Sequence, residues 1–217
     1  MKRRRLSVGL LVLLSASIYL ATPPTTALLD CGRERGPVKN VYDPDNPSLF
    51  RGGRLKIRRS SIQELIDFPY PFPNPAGIPH KYYTVRVPPY ETTGYVLTAT
   101  LTEYTLEKDE DYHLVLQDES GNTMIAEIPN PRCVARAPQE VRRLVKIARD
   151  NFDRQFSASD GLQPVRGKFK TANVRVRIAG IGMFDKHHGG GESGEQEGAA
   201  PNGIELHPVV GLEFPRR

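Results

Sequence analysis

The sequence has little cysteine, little histidine and a single long apolar run, and each shortage excludes a class of protein. Two cysteines among 217 residues exclude a disulfide-dense mini-scaffold and an all-cysteine zinc site. The five histidines include no pair with the His-Glu-x-x-His spacing of zinc hydrolases. The sequence does hold 19 glycines and 19 prolines, which indicate many turns and short elements instead of a helical bundle. The length suits one domain with an extension.

The long apolar run lies at the N-terminus and has the parts of an export signal. Four basic residues (Lys2, Arg3, Arg4 and Arg5) precede the mostly apolar residues 6–21, and residues 25–27 offer a small-residue cleavage site. The run is shorter than the about 20 residues that a membrane span needs. We therefore predict a signal peptide over residues 1–27 and export to the periplasm or the medium. Contact with a membrane is expected only if the signal remains uncleaved as an anchor.

Removing the signal changes the meaning of the net charge. The chain carries 30 basic and 25 acidic residues, and four of the basic residues lie in the signal. The remaining chain is nearly neutral, so nucleic acid is not favoured as a partner. Residues 91–127 are strongly acidic and residues 132–177 strongly basic. We expect these two regions to face each other; a basic face for polyanions is the alternative, although it lacks interleaved aromatic residues.

Export also bears on the two cysteines, Cys31 and Cys133. In an oxidising compartment an even pair is more often bonded than free. We predict a disulfide between them that closes a loop of about 100 residues, with two free thiols as the alternative. A catalytic cysteine is disfavoured, because no histidine lies close to either cysteine in the sequence.

Residues 28–90 are predicted to form an irregular extension. Residues 51–59 hold five basic residues, and residues 60–68 have the spacing of one or two helical turns. Residues 69–89 then alternate prolines with aromatic residues, a pattern that forbids helix and favours extended chain. We expect a stiff strap lying on the domain; a ligand for an aromatic groove is the alternative.

Residues 91–217 have regular patterns. Alternating apolar and polar positions predict five strands, over 95–104, 112–117, 123–128, 173–184 and 203–214. An apolar stripe at three- and four-residue spacing predicts one helix over 138–156. The order β-β-β-α-β-β is that of the OB-fold, a small five-stranded barrel. We therefore predict a mainly β protein with one helix: an OB-like barrel preceded by a Pro-rich irregular extension.

Most candidate functional residues gather around the last two predicted strands. Antiparallel pairing of these strands would bring together the polar residues Asp185, His187, His188, Glu205 and His207. His113 and Glu127 are the other polar residues on otherwise apolar strands.

These residue types suit two kinds of chemistry. A divalent metal is a possible cofactor, with His188, His207 and Asp185 as candidate ligands and a bound water to activate. General acid and base catalysis is the other, with Glu205 and His113 as candidates. The structural alternative is that Glu205 and His207 hydrogen-bond loop backbone and fix the long connection between the strands.

Two stretches, GIGMFDKHHGGG (180–191) and GAAPNGIELHPVVGLEF (198–214), resemble the C-terminal signature of a group of uncharacterised, mostly exported bacterial proteins. In that group Gly-x-Gly-Phe-Phe-Asp-x-x-His-Gly precedes Ala-Pro-Asn-x-Ile-Glu-Leu-His-Pro. The resemblance also includes residues 111–129 and covers about residues 92–214. It implies no activity, but it implies a site that contains Asp185, His188, Asn202, Glu205, His207 and Pro208, along with His113 and Glu127. The sequence departs from the pattern at Met183 and in a longer, acidic glycine loop.

The sequence thus favours an exported OB-like binding or interaction module, not an enzyme, with an unidentified ligand or protein partner. Its candidate binding residues are Asp185, His188, Asn202, Glu205 and His207. The alternative is a small metal-dependent hydrolase of an extracellular phosphodiester or similar ester. In that hydrolase His188, His207 and Asp185 would hold the metal, Glu205 would orient a ligand or act as base, and His113 would bind substrate.

Overall fold

A computed structural model describes residues 31–32, 34–74, 77–186 and 197–215 of the chain. The predicted signal peptide, His187 and His188 lie outside the described residues. In chain order the elements are α1 Gly36–Lys39, β1 Phe50–Arg51, β2 Arg54–Leu55, β3 Ile57–Arg59, α2 Ile62–Ile66, β4 Gly94–Leu106, β5 Tyr112–Gln117, β6 Thr123–Ile128, α3 Gln139–Gln155, β7 Lys170–Phe184 and β8 Ile204–Glu213. The prediction of a mainly β protein is confirmed, and α3 is the one long helix of the described residues.

Six strands form one sheet whose hydrogen bonding runs around a ring. Their order is β3-β4-β5-β6-β8-β7, and β4 also pairs with β7. β4 is 13 residues long: it pairs with β3 near its start, with β5 near its end and with β7 over most of its length, and it carries a bulge between Leu101 and Glu103. A bulge increases the local twist of a strand, which helps a sheet to turn back on itself.

The main core joins these strands to α3. The apolar stripe of the helix places Val141, Val145, Ala148 and Phe152 on one buried face. The ring of Phe152 lies 5.3 Å from that of Tyr104 on β4 and 4.8 Å from that of Tyr112 on β5. The helix therefore packs across the sheet through its apolar face, and Asn151 and Arg149 add hydrogen bonds to the carbonyls of Leu212 and Ile128, at 2.8 and 3.1 Å.

Residues 28–90, predicted to be irregular, contain several short elements among their described positions. β3 pairs in parallel with the start of β4. The N-cap residue of α2 is Ser61, whose hydroxyl accepts a hydrogen bond from the Glu64 amide at 3.1 Å. Within the proline-rich strap, Phe72 is buried in the main core, and the ring of Tyr70 lies 6.2 Å from that of Phe184. The strap lies on the domain because Phe72 is buried there and Tyr70, Tyr82 and Tyr83 pack partly buried against the core.

The acidic and basic regions meet around Glu110. Its carboxylate pairs with Arg132 at 3.3 Å and with Arg166 at 3.5 Å. Arg149 on α3 donates to the Glu110 carbonyl at 2.8 Å and lies 3.7 Å from the ring centroid of Tyr112. The first hairpin of the domain thus faces the basic helix at this point.

Cys31 and Cys133 form a disulfide with their Cα atoms 5.3 Å apart, which confirms the predicted bridge. A disulfide is compatible with an exported protein. Among the residues that the structure describes, no helix has the length and hydropathy that crossing a membrane requires.

Replacing both Cys31 and Cys133 with serine should lower the free energy of unfolding by about 4–5 kcal/mol, because the bridge joins residues 102 positions apart and restricts the unfolded chain. Urea denaturation of the oxidised protein and the double variant measures the loss. Reduced wild-type protein is the control and should match the variant. Rapid reaction of two thiols in the folded, oxidised protein would contradict the bridge.

Candidate functional site

Buried and partly buried ionisable side chains gather where β5, β6 and β8 meet the N-terminal segment and the turn between β4 and β5. His113 on β5 is the register partner of Glu127 on β6, and β8 carries Glu205 and His207 beside β6. The N-terminal segment adds Lys39 at the end of α1, and the turn between β4 and β5 adds acidic residues. We refer to these eight residues as the ionic cluster: Lys39, Glu107, Asp109, Asp111, His113, Glu127, Glu205 and His207.

Glu127 lies at the centre of the ionic cluster. Its Oε2 atom is 3.1 Å from Lys39 Nζ and 3.0 Å from His207 Nε2, and its Oε1 atom is 3.7 Å from His113 Nδ1. The Oε2 contacts are ion pairs without well-directed hydrogen bonds. Burial alone would raise the pKa of Glu127, but the ammonium and the two imidazoles hold it well below its ordinary value.

Both ring nitrogens of His207 face oxygen atoms. Nδ1 lies 3.0 Å from the Lys39 carbonyl, and Nε2 lies 3.0 Å from Glu127 Oε2 and 3.4 Å from Asp111 Oδ2. A neutral imidazole has one N–H and would present a lone pair to one of these acceptors, whereas an imidazolium donates from both nitrogens. Burial lowers the pKa of His207, but the two carboxylates outweigh it and raise the pKa to about 9.

His113 has the same kind of surroundings. Its Nδ1 atom lies 3.0 Å from Glu107 Oε1, and its Nε2 atom lies 2.9 Å from the Glu197 carbonyl. Burial lowers the pKa of His113, but the hydrogen bond to Glu107 and the negative charge of Glu127 raise it to about 10. Geometry and electrostatics thus agree that both cluster histidines are charged at neutral pH.

Lys39 supplies the third cation. Its Nζ atom lies 3.1 Å from Glu127, 3.3 Å from Asp109 and 3.8 Å from Asp111. Burial opposes the charge, but Glu127, Asp111 and Asp109 hold the pKa of Lys39 well above its ordinary value. The ammonium therefore neutralises acids from two separate parts of the sheet.

Glu205 differs from the other carboxylates of the cluster. It is buried, and among the described residues it forms no ion pair. Burial raises the pKa of Glu205 well above its ordinary value, and the nearby negative charges of Glu127 and Asp185 act in the same direction. Glu205 therefore keeps its proton to a higher pH than an exposed carboxyl group does.

Two buried arginines extend the fastening of the N-terminal segment. Arg35 forms a buried ion pair with Glu91, in which Arg35 Nη2 lies 2.7 Å from Glu91 Oε2. Arg35 Nη1 also donates to the Phe184 carbonyl at 2.8 Å. Arg86 donates to Asp43 Oδ2 at 2.7 Å and to the Val38 carbonyl at 2.9 Å. These contacts and the ionic cluster together hold residues 35–43 against the sheet.

The structure brings together some of the residues predicted from the sequence and separates others. His113, Glu127, Glu205 and His207 all belong to the cluster. Asp185 lies at the end of β7, where its amide donates to the Gly203 carbonyl at 2.8 Å, and it acts on Glu205 through its charge. His188 lies outside the described residues, so its role as a ligand stays a prediction.

Asn202 has a separate, structural environment. Its side-chain amide donates to the carbonyls of Leu65 and Phe68, both at 2.9 Å, and its Oδ1 atom accepts from the Ile204 amide at 3.2 Å. It therefore fixes the end of α2 against the start of β8 through hydrogen bonds that involve no cluster residue.

Four residues of the ionic cluster were not predicted from the sequence: Lys39, Glu107, Asp109 and Asp111. Residues 107–111 have the composition of a solvated turn, and nothing near Lys39 marks it as buried.

Comparison with protein-family models, with curated proteins and with solved structures finds no match. The function of the cluster is therefore inferred from its own geometry.

The cluster offers two groups of possible metal ligands, Glu107–His113–Glu127 and Asp111–Glu127–His207. A histidine binds a metal through a free nitrogen lone pair. Neither ring has one to spare, because each nitrogen faces an oxygen acceptor. Lys39 also occupies the position beside Glu127 and Asp111 that a cation would take. The donors present therefore suit charge neutralisation within the fold, and they fit a metal poorly.

Replacing Lys39 with methionine should lower the free energy of unfolding by about 3–5 kcal/mol at pH 7, because the change leaves buried carboxylates without their cation. Lys146→Met is the matched control: its ion pair with Asp150 is exposed, so its loss should cost less than about 1 kcal/mol. The deficit of Lys39→Met should shrink in acid as the carboxylates gain protons. Equal losses in the two variants, measured by urea denaturation, would contradict the cluster as described.

The protein should become less stable as the pH rises from about 6.5 to about 9. His207 has a pKa of about 9 in the folded chain and 6.5 as its ordinary value. Between these values the folded state keeps a proton that the unfolded state has lost, so the free energy of unfolding falls as pH rises. The proton of His113 acts in the same direction, with a pKa of about 10.

Urea denaturation at several pH values across this range measures the decline. His207→Gln should make the decline shallower without abolishing it, because His113 still contributes. His80→Gln is the control, since His80 is exposed and lies outside the cluster, and it should leave the decline unchanged. A wild-type stability that stays constant over this range would show that the two histidines are not held as cations.

Proposed function

We propose that this protein is an exported binding module and that its ionic cluster fastens the N-terminal segment to the sheet instead of performing catalysis. The observation that carries the proposal is the position of Lys39. Its ammonium lies among the carboxylates that would otherwise serve as metal ligands or as general bases. The cations that these carboxylates require are thus part of the chain itself.

The state of the two cluster histidines supports the same conclusion. The side chains of His113 and His207 are 0% exposed. A general base needs a free lone pair within hydrogen-bond reach of a substrate. In both rings the nitrogens are already directed at oxygen atoms of the chain. Such rings lack the contact with solvent and the lone pair that a catalytic role needs.

An OB-like architecture is supported by the order of the elements and by the ring of hydrogen bonds. Three strands (β4, β5 and β6) precede α3, and two strands (β7 and β8) follow it. β4 closes the ring by pairing with β7. We infer a small barrel of the OB type, for which β-β-β-α-β-β is the characteristic order.

Export is supported by two independent features. Residues 1–27 have the pattern of a signal peptide. The Cys31–Cys133 disulfide is of the kind that forms and persists in oxidising compartments. Because Cys31 lies four residues after the predicted cleavage site, the bridge would fasten the start of the mature chain.

Elemental analysis of the purified exported protein, combined with a phosphodiester hydrolysis assay in added zinc or manganese, tests the proposal against the metal-dependent hydrolase. We expect a substoichiometric metal content and hydrolysis at the background rate. His207→Gln and the control His80→Gln should both match the wild-type protein in these two measurements. One metal ion per chain that His207→Gln loses together with turnover would overturn the proposal.

A further inference from the structure

Four cationic side chains and no acidic one line a shallow cleft of about 400 Å³ beside the β1–β2 hairpin. The charged lining consists of Arg51, Arg54, Lys56 and Arg58, none of which belongs to the ionic cluster. We propose that this basic cleft binds a linear chain of phosphate groups. The inference rests on the proposed function, since it names the ligand class of the binding module.

The cations recur at a regular spacing along the chain. Arg54, Lys56 and Arg58 are two residues apart, where the chain passes from β2 to β3, and all three line the cleft. Successive Cα atoms of such a set are about 6.6 Å apart. Arg51 extends the set, because it is the register partner of Arg54 across the hairpin. A row of charges at regular intervals matches a ligand whose own charges repeat along a chain.

The pairing of Arg51 with Arg54 points to an anion between them. Residues directly opposite in an antiparallel pair project to the same side, and like charges in that position destabilise the pair. Gly52 and Gly53, with φ of 55° and 76°, form the two-residue turn that fixes this register. A bound anion would replace the repulsion of the two guanidinium groups with attraction to both.

The charges of the cleft are largely unneutralised by the protein. Within the described part of the chain, Arg51, Arg54 and Lys56 form no ion pair, whereas Arg58 pairs with Glu64 at 2.7 Å. Some of the other exposed arginines do have acidic partners, such as Glu213 for Arg177 and Glu119 for Arg175. The cleft is therefore a place where the chain leaves positive charge for an external partner.

The backbone that carries these cations is held on both sides. The Lys56 amide donates to the Leu49 carbonyl at 2.8 Å, and the Lys56 carbonyl accepts from the Gly94 amide at 2.8 Å. Gly94 also allows this close approach, because a Cβ atom there would lie 2.9 Å from Ile57 Cγ1 and 3.1 Å from the Lys56 carbonyl. A ligand would thus meet backbone positions that are already fixed, which reduces the entropy lost on binding.

The residue types of the cleft favour phosphate. Three of its four cations are arginines, whose planar guanidinium groups bind phosphate oxygens through paired hydrogen bonds. The rest of its lining is Leu55, Ile57 and Thr93, without the aromatic rings that stack on bases. The recognition is therefore of the phosphate chain itself, not of bases attached to it.

Binding of fluorescein-labelled inorganic polyphosphate, followed by anisotropy at several salt concentrations, tests the inference. With phosphate contacts from the three unpaired cations, the logarithm of the association constant should fall with the logarithm of salt concentration at a slope of about −2. Arg51→Gln/Arg54→Gln should weaken binding at least tenfold and reduce the magnitude of the slope by about 1.4, because two contacts are lost.

Arg142→Gln/Arg143→Gln is the matched control, since it removes the same charge from exposed positions of α3 outside the cleft. It should change the affinity less than twofold. Equal weakening in the two double variants, or no binding at low salt, would overturn the basic cleft as the site. Equally tight binding of orthophosphate, or of a polyglutamate of matched charge, would overturn a phosphate chain as the ligand class.

The same samples separate this inference from the proposed function. After incubation with the protein, the length of the polyphosphate is analysed on a gel. An unchanged length leaves the non-catalytic proposal intact, whether or not the polyphosphate binds. If the wild-type protein progressively shortens the polyphosphate, the non-catalytic proposal is overturned. The affinity data still decide whether the basic cleft is the binding site.

Discussion

The burial of Glu127 is the constraint on which the rest of this structure depends. A carboxylate removed from water costs several kcal/mol unless cations and hydrogen bonds replace its hydration. Here the cations are Lys39 from α1, His113 from β5 and His207 from β8. Since these residues are far apart in the sequence, the charge of Glu127 is satisfied only when all three segments have reached their places. The cluster is therefore complete only in the correctly folded chain.

The same constraint explains how an N-terminal segment with little regular structure is held in place. Residues 35–43 contain one four-residue helix and two fully buried valines, Val38 and Val41. Their position is specified instead by Lys39, by the buried Arg35–Glu91 and Arg86–Asp43 pairs and by the disulfide at Cys31. Directional ionic contacts define one register for a short segment more sharply than apolar packing does, which favours a single arrangement.

Much of the domain could be predicted because its patterns are local. β5 and β6 begin and end where the period-two alternation begins and ends. α3 is one residue shorter at each end than the helix predicted over 138–156. β7 starts earlier than predicted, at Lys170, because its first residues are specified by pairing with β4 and not by their own alternation. The short strands of the N-terminal part likewise depend on their partners. β3 exists because β4 lies beside it.

The cluster could be predicted only in part, for the same reason. Polar residues within apolar strands, such as His113 and Glu127, stand out from their neighbours in the sequence. Lys39 and Asp111 do not, since their burial results from contacts across many tens of residues, as in the approach of His207 to Asp111. Residue type alone could also not distinguish a metal ligand from a histidine that is itself the cation. That distinction depends on what faces each ring nitrogen.

The protonation state of the cluster histidines is accordingly the most direct measurement. Long-range proton–nitrogen correlation spectra of the folded protein at about pH 8 report the state of every imidazole, and His113→Gln and His207→Gln assign the two signals. We predict that His113 and His207 are doubly protonated at this pH. Neutral rings at both cluster positions, each with an unprotonated nitrogen, would contradict the cluster as an internal neutralised core and would restore these residues as candidates for catalysis or metal binding.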